Sequence, residues 1–250
     1  MPQIKNIMFD LKLLGMLHCL EGTLKDATEE SWGPTEVLDV LLQAENDFRE
    51  DKRSERLLKN SKLKIKPALE DFDFTAKRTI TRKEIKELYS LEWIKMGRPI
   101  LIIGPTGVGK TFIAQALGHH ACRHKQPVLF MSISDLLEHQ MLARTTKTYL
   151  KFKAKLTKPS ILILDDFGLK KFNSGEAHDF CEILEERMGD KSTIITTQLP
   201  LDHWSEVIED PVIADAIIDR LIHSSIKLTV KGESYRKVKA KKLDQMKGKQ

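Results

Sequence analysis

Apolar residues recur at helical spacing from the start of the chain: Ile4, Ile7, Met8, Leu11, Leu14, Leu17, Leu20 and Leu24 predict one amphipathic helix, or a pair, over residues 3–26. Gly33 and Pro34 interrupt the pattern, and Pro34 suits the first turn of a further helix whose stripe is Val37, Leu38, Leu41, Leu42 and Phe48. Neither stripe can be buried by its own helix, so these segments are expected to pack on each other as a small all-α domain or against a partner. Lys66, Pro67 and residues 71–74 read as an extended connector. A helix start follows at Thr81, where Glu84 three residues on completes a capping box, and Ile80 and Ile85 can staple the entry. Its stop is Gly97, able to take the left-handed conformation before Arg98 and Pro99 begin a strand.

At Ile100 helical stripes give way to short continuous apolar runs, the pattern of strands covered on both faces. Runs at residues 100–103, 128–133, 161–166, 193–197 and 226–230 are the predicted strands. Between them lie helical patterns: one after residue 109, one capped by Ser134 and Asp135, and one within residues 144–158 with Leu142, Tyr149, Phe152 and Leu156 as its apolar positions and Pro159 as its end. Further helices are expected at 174–188, stopped by Gly189, and as short pieces at 202–208 and 212–222. Strands alternating with helices predict a parallel α/β sheet.

Composition narrows the class. The chain is long enough for one large domain or two smaller ones, and no run approaches a membrane span or shows the order of a signal peptide. Cys19, Cys122 and Cys181 are odd in number and scattered, so they read as small hydrophobes in a reducing cytoplasm. The net charge of +5 is modest but unevenly placed: residues 49–66 hold eight Lys or Arg against three acidic residues, 144–158 six against none, and 227–250 nine against two. Three basic segments suggest a polyanion, most simply nucleic acid, although solvated helix faces and a Lys-rich tail account for each segment equally well.

Candidate chemistry sits where two apolar strands end. The first runs into Gly104, Pro105, Thr106, Gly107, Val108, Gly109, Lys110 and Thr111, a full Walker A loop. Its glycines let backbone N–H groups curl inward at a helix start, Lys110 can reach the β- and γ-phosphates, and Thr111 can hold Mg²⁺. Phe112, Ile113, Ala116 and Leu117 give the following helix its apolar face. The third strand ends in Asp165 and Asp166, suited to a Walker B pair in which Asp165 holds the metal and Asp166 orients or deprotonates water. Thr197 and Gln198 would lie beside them if their strand pairs between the two motif strands, and either could position water or sense the γ-phosphate. Arg220 stands on a helix with Ile217, Ile218, Leu221 and Ile222; it suits an arginine finger, although most helical arginines are only solvated.

With these pieces in order, the chain resembles the IstB-like ATP-binding proteins, the transposition helpers of insertion sequences, and more distantly the helicase loader DnaC. The stretches that carry the resemblance are residues 104–111, 116–122, 162–168, 192–200, 215–221 and 231–237, with Phe167 where many relatives have Trp. It implies an AAA+ P-loop NTPase core with a five-stranded parallel sheet, preceded by a small all-α amino-terminal domain: helices over 1–66, connector and helix over 67–98, ATPase domain over 99–237 and a Lys-rich tail over 238–250. It further implies ATP and Mg²⁺ as cofactors, DNA-stimulated hydrolysis, a homo-oligomer on duplex DNA with ATP at subunit interfaces, and a cognate transposase as partner. Arg220 matches the finger position, Arg236 matches a second arginine near the nucleotide, and residues 136–155 match the helical insertion along which DNA runs. A replicative helicase loader is the alternative, decided by whether a transposase gene adjoins this one. A P-loop kinase of small molecules is disfavoured by the lack of a lid-like arginine cluster.

Overall fold

A computed structural model describes residues 2–65 and 80–232, and the chain divides into two units, Met1–Leu57 and Leu58–Gln250. The expected connector at Lys66, Pro67 and residues 71–74, Arg236 and the Lys-rich tail lie outside the described residues, as does the boundary expected at 66/67.

In the first unit the amino-terminal pattern resolves into a pair of helices, α1 (Pro2–Asp10) and α2 (Leu14–Glu29), followed by α3 (Pro34–Asn60). Met16, Leu20 and Leu41 form its core, with Met8, Leu13, Cys19, Leu24 and Val37 packed against them. The buried carboxylate of Glu45 on α3 accepts from the backbone N–H groups of Gly15 and Met16 at 2.7 and 3.2 Å, capping the otherwise unpaired start of α2. The stripe expected on α3 is only half used: Leu41 is buried, while Leu38 and Leu42 are 57% and 58% exposed.

The second unit opens with the predicted capping box, Thr81 with Glu84, at the head of α4 (Arg82–Tyr89). The single helix expected to Gly97 is broken at Leu91, which has a left-handed φ of 57°, and restarts as α5 (Glu92–Lys95). Gly97 ends it as expected, with the N–H of Arg98 bonded to the Trp93 carbonyl at 3.0 Å and that of Gly97 to Ile94 at 3.1 Å. Five parallel strands follow, β1 (Ile100–Ile103), β2 (Val128–Ser132), β3 (Ile161–Phe167), β4 (Ser192–Thr197) and β5 (Ile226–Thr229), in the order β2-β3-β4-β1-β5. The strand of Thr197 therefore does lie between the two motif strands.

Helix α6 (Lys110–Arg123) sits on one face, where a side chain at Gly118 would strike Ile163 of β3. Leu101, Leu129, Leu162, Leu164 and Ile195 point to the other face, into one core with residues of α7 (Ile133–Thr145), α8 (Tyr149–Thr157), α9 (Ser174–Arg187) and α10 (Pro211–Ile222). The cap of α7 is Ser132, accepting from the N–H of Asp135 at 3.0 Å, and not Ser134-Asp135. The basic segment is two helices and not one, turned at Lys147 with φ 55°. Phe167 is fully buried against Phe172, Phe180 and Trp204, with the Trp204 ring centroid 4.3 Å away. Cys122 is buried, and that burial raises its pKa to about 11, whereas Cys19 and Cys181 are only half-buried.

One buried cation was not legible as a structural residue. Arg187, 1% exposed at the end of α9, donates to the carbonyls of Leu156, Pro159 and Ser192 at 2.8, 2.9 and 2.6 Å and to Thr193 Oγ1 at 3.1 Å. It ties the turns that enter β3 and β4, and burial lowers its pKa to about 9, leaving it charged at neutral pH. Arg187→Met should destabilise the fold by about 3 kcal/mol, since each orphaned carbonyl costs about 1–3 kcal/mol before water relaxes in. A urea titration reads this, and an unchanged midpoint would show the bonds to be dispensable.

Candidate functional site

All strands run parallel, so the loops after β1, β3 and β4 share one edge of the sheet, with β4 in the middle. The Walker A loop is held by the N–H of Gly104 on the Thr197 carbonyl at 3.1 Å. Gly107 and Gly109 take φ of 85° and 107°, the left-handed geometry that turns successive N–H groups inward, and Gly109 caps α6. Val108 is buried and anchors the loop, while Pro105 and Thr106 stay exposed at its tip. Phe112 lies half-buried in the first turn of α6.

Lys110 is 6% exposed, and its ammonium donates to the Pro105 carbonyl at 3.0 Å. Burial lowers its pKa, opposed by the charges of Asp166 and Asp165. Asp165 is also 6% exposed. Burial, reinforced by the Asp166 charge, raises its pKa against hydrogen bonds from Thr196 and Thr111 and the charge of Lys110. Thr111 Oγ1 donates to Asp165 Oδ1 at 2.9 Å, which joins the two motifs directly.

The register of β3 on β4 explains how the two aspartates are separated. Leu164 pairs with Ile195 and Phe167 with Thr197, so Asp165 and Asp166 together face the single residue Thr196. This is a β-bulge, a device that re-aims side chains. Asp166 takes a left-handed φ of 60° and stands exposed, while Asp165 turns inward. Thr196 Oγ1 fills the bulge, donating to Asp165 Oδ1 at 2.5 Å and accepting from the Asp166 N–H at 3.0 Å.

Thr196 was missed from sequence, and Thr197 does not stand where it was expected. The Thr197 hydroxyl is fully buried and donates to the Phe167 carbonyl at 2.8 Å, away from Asp165. Gln198 does reach the site, its Oε1 accepting from Thr106 Oγ1 at 2.6 Å. Arg220 is not brought there. It donates to the Ala216 carbonyl at 2.9 Å and to Glu185 at 3.1 Å on α9, near the opposite edge of the sheet, where the strands begin.

The six basic residues of 144–158 have two destinations. Arg144 binds the buried Asp179, with its guanidinium 3.7 Å over the Tyr149 ring, and Lys153 binds Glu182 and Glu186 at 3.0 and 2.7 Å. Lys151 and Lys155 on α8 and Lys158 at its C-cap remain exposed along one face, with Lys147 in the turn before the helix. At 1.5 Å per residue these three span roughly 10 Å, the reach of about three phosphates on one strand of a duplex. Among the described residues no helix is long and apolar enough to cross a membrane.

Residues 7–243 match the model of the family described as IstB-like ATP binding protein. A Sinorhizobium fredii protein named as an insertion sequence ATP-binding protein is 37% identical over 92% of this chain and 94% of its own. A Mycobacterium tuberculosis protein, named as an ATP-binding protein in an insertion sequence, is 33% identical over 94% of each. Among solved structures, DnaI superposes with a TM-score of 0.57 at 19% identity, covering 66% of this chain and 90% of DnaI. AMPPCP-bound DnaA from Aquifex aeolicus gives 0.57 at 20% identity over 74% of this chain and 56% of DnaA, and the DnaC helicase loader gives 0.51 at 21% over 60% and 87%. These last likenesses are of fold.

Proposed function

The chain belongs to the IstB-like ATP-binding proteins, and on that premise we propose that it hydrolyses ATP with Mg²⁺, assembles on duplex DNA and serves the transposase of an insertion sequence. The observation that carries the reading is the Thr111–Asp165 bond at the heart of a site whose candidate arginine lies elsewhere in the chain. Thr111 and Asp165 are the oxygen donors suited to a hard cation. The left-handed glycines and the buried ammonium of Lys110 fit a triphosphate. A Mg²⁺ ion held by Thr111 and Asp165 would supply positive charge to the phosphates.

Asp166 is the base: it takes the proton of the attacking water as the bond between the β- and γ-phosphates breaks, leaving ADP and inorganic phosphate. Thr196 positions both aspartates, and Gln198 reports the state of the loop tip through Thr106. Arg220 of a second copy completes the site, so nucleotide binding favours assembly and hydrolysis favours release. Arg236 is proposed to lie near the same nucleotide.

The exposed lysines of α8 supply sequence-indifferent phosphate contacts. Replacing Lys151, Lys155 and Lys158 with alanine should weaken duplex binding at every sequence and flatten the plot of log affinity against log salt by about 0.9 for each lost contact. Titrations at several salt concentrations measure it, and an unaltered slope would remove α8 from the track. The reading as a whole is tested by ATP turnover with and without duplex DNA, with assembly size followed by light scattering. Turnover should rise with DNA and vanish in Lys110→Ala; an unchanged rate from a persistent monomer overturns the reading.

A further inference from the structure

In the first unit a cavity of about 310 Å³ lies between the turn that joins α1 to α2 and the second half of α3. Lys12 lines it from the turn, and Arg49, Lys52, Arg53 and Arg56 line it from α3. Both walls are fixed. Gly15 packs so closely on α3 that a side chain there would lie 2.5 Å from the Ala44 carbonyl oxygen. In the turn, the N–H of Leu13 donates to the Met8 carbonyl at 2.8 Å, and Lys12 is held at a left-handed φ of 58°. Glu45 is the one carboxylate in the lining, and it is already spent on Arg49 Nε at 2.7 Å and on the start of α2.

The charges of α3 are sorted by face. At about 100° per residue, Arg49, Lys52, Arg53 and Arg56 fall within an arc of about 100°, whereas Asp47, Glu50, Asp51 and Glu55 fall on the remaining side. A helix surface that serves solubility alone interleaves the two signs at spacings of three and four residues. Here Arg49 neighbours Lys52 and Arg53 at those spacings, and Arg56 neighbours the same two, so like charges oppose the helix that carries them. Lys52 is tied to Glu55 by an exposed pair that a stronger anion can displace. Arg53 and Arg56 are exposed, with no hydrogen bond or ion pair among the described residues.

This arrangement selects its ligand. The four cations of α3 run along roughly 10 Å of helix, a row suited to a polyanion and not to a single phosphate. Lysine and arginine only donate, and the lining has no free acceptor, so it can neutralise phosphates but offers little to read a base. A single strand calls for aromatic rings on which its bases stack, and the lining has only the half-buried Phe48. We infer that this cavity binds backbone phosphates of duplex DNA, so that the first unit carries its own contact to the nucleic acid. This rests on the proposed function and deepens it, giving the basic stretch that begins at Arg49 a task that α8 does not cover.

The test uses the full chain and a duplex of mixed sequence, with affinity followed by fluorescence anisotropy over a salt series. Arg53→Gln combined with Arg56→Gln should flatten the plot of log affinity against log salt by about 1.8, that is 0.9 for each lost contact. Lys12→Gln, on the other wall, should flatten it by about 0.9. Arg53→Lys with Arg56→Lys keeps the charge and should keep the slope. Lys5→Gln with Lys25→Gln removes the same charge outside the lining and should leave the slope unchanged. The glutamine pair relieves repulsion along α3, so it should melt no lower than the wild type and bind a fluorescent ATP analogue equally well. A wild-type slope in both the glutamine pair and Lys12→Gln overturns the inference alone, as does an equal flattening by Lys5→Gln with Lys25→Gln. Binding of poly-glutamate that is lost in the glutamine pair while the duplex slope holds would assign the cavity to an acidic protein surface and also overturn it. Failure of the wild type to bind duplex at any salt concentration would sink the proposed function, and the inference with it.

Discussion

Asp166→Asn is expected to lower ATP turnover by about 10³-fold, within the 10²–10⁴ range of a positioned general base, while leaving nucleotide affinity unchanged. The expectation follows from the bulge in β3. Asp165 is held by two threonine hydroxyls in a buried position, geometry that suits a ligand fixed in place, whereas Asp166 is thrown outward at φ 60° and exposed, with no side-chain hydrogen bond or ion pair to it among the described residues. Asparagine keeps the shape and the left-handed backbone, which it tolerates better than most residues, so the substitution removes the base and little else. Asp165→Asn should instead raise the Mg²⁺ concentration needed for half-maximal turnover, because it weakens a donor to the cation. Steady-state hydrolysis across a Mg²⁺ series, paired with binding of a fluorescent ATP analogue, separates the two. If the effects are exchanged, with Asp166→Asn shifting the Mg²⁺ requirement and Asp165→Asn leaving it alone, the roles are reversed from those proposed.

That bulge also marks the limit of what the sequence discloses. The Walker A loop and the acidic strand end are legible because each residue type answers a local need: φ above zero, a buried run, a carboxylate at the edge. The partner of the carboxylates is not local. In an unbroken register Ile195 opposite Leu164 would put Thr197 opposite Asp166; the extra residue in β3 puts Thr196 there and sends Thr197 to Phe167. No propensity signals which of two adjacent threonines will face the site. The same holds for the broken helices, where Leu91 and Lys147 adopt left-handed turns that neither residue type advertises.

Charge is legible in amount but not in destination. The run at 144–158 reads as one basic stretch, yet Lys153 is drawn to Glu182 and Glu186 on α9 while Lys151, Lys155 and Lys158 face outward. Helical spacing contains this division in principle, since positions 151, 155 and 158 share a face that 153 does not. Its meaning depends on knowing that α9 lies against the other face. Arg187 is the extreme case: its acceptors are backbone carbonyls from two turns that only the assembled sheet brings together.

Arg220→Ala is expected to have the other large effect, a loss of turnover of about 10³-fold or more, as for arginines that stabilise phosphoryl transfer from a neighbouring subunit. Within its own chain Arg220 does little that could account for such a loss. Its contact with Glu185 is a half-exposed ion pair of the kind worth about 0–1 kcal/mol, and its bond to the Ala216 carbonyl is a turn of its own helix. Removing it should therefore leave the fold and the ATP affinity of dilute monomer intact. Arg220→Lys should not restore turnover, because a point charge lacks the planar fork that spans phosphate oxygens. Glu185→Ala separates the roles: it dissolves the intrachain pair and frees the guanidinium, so turnover in the assembly should hold or rise. Hydrolysis by Arg220→Ala at the wild-type rate would remove the shared site. Equal losses in Arg220→Ala and Glu185→Ala would show that the ion pair itself, and not a phosphate of the next subunit, is what Arg220 serves.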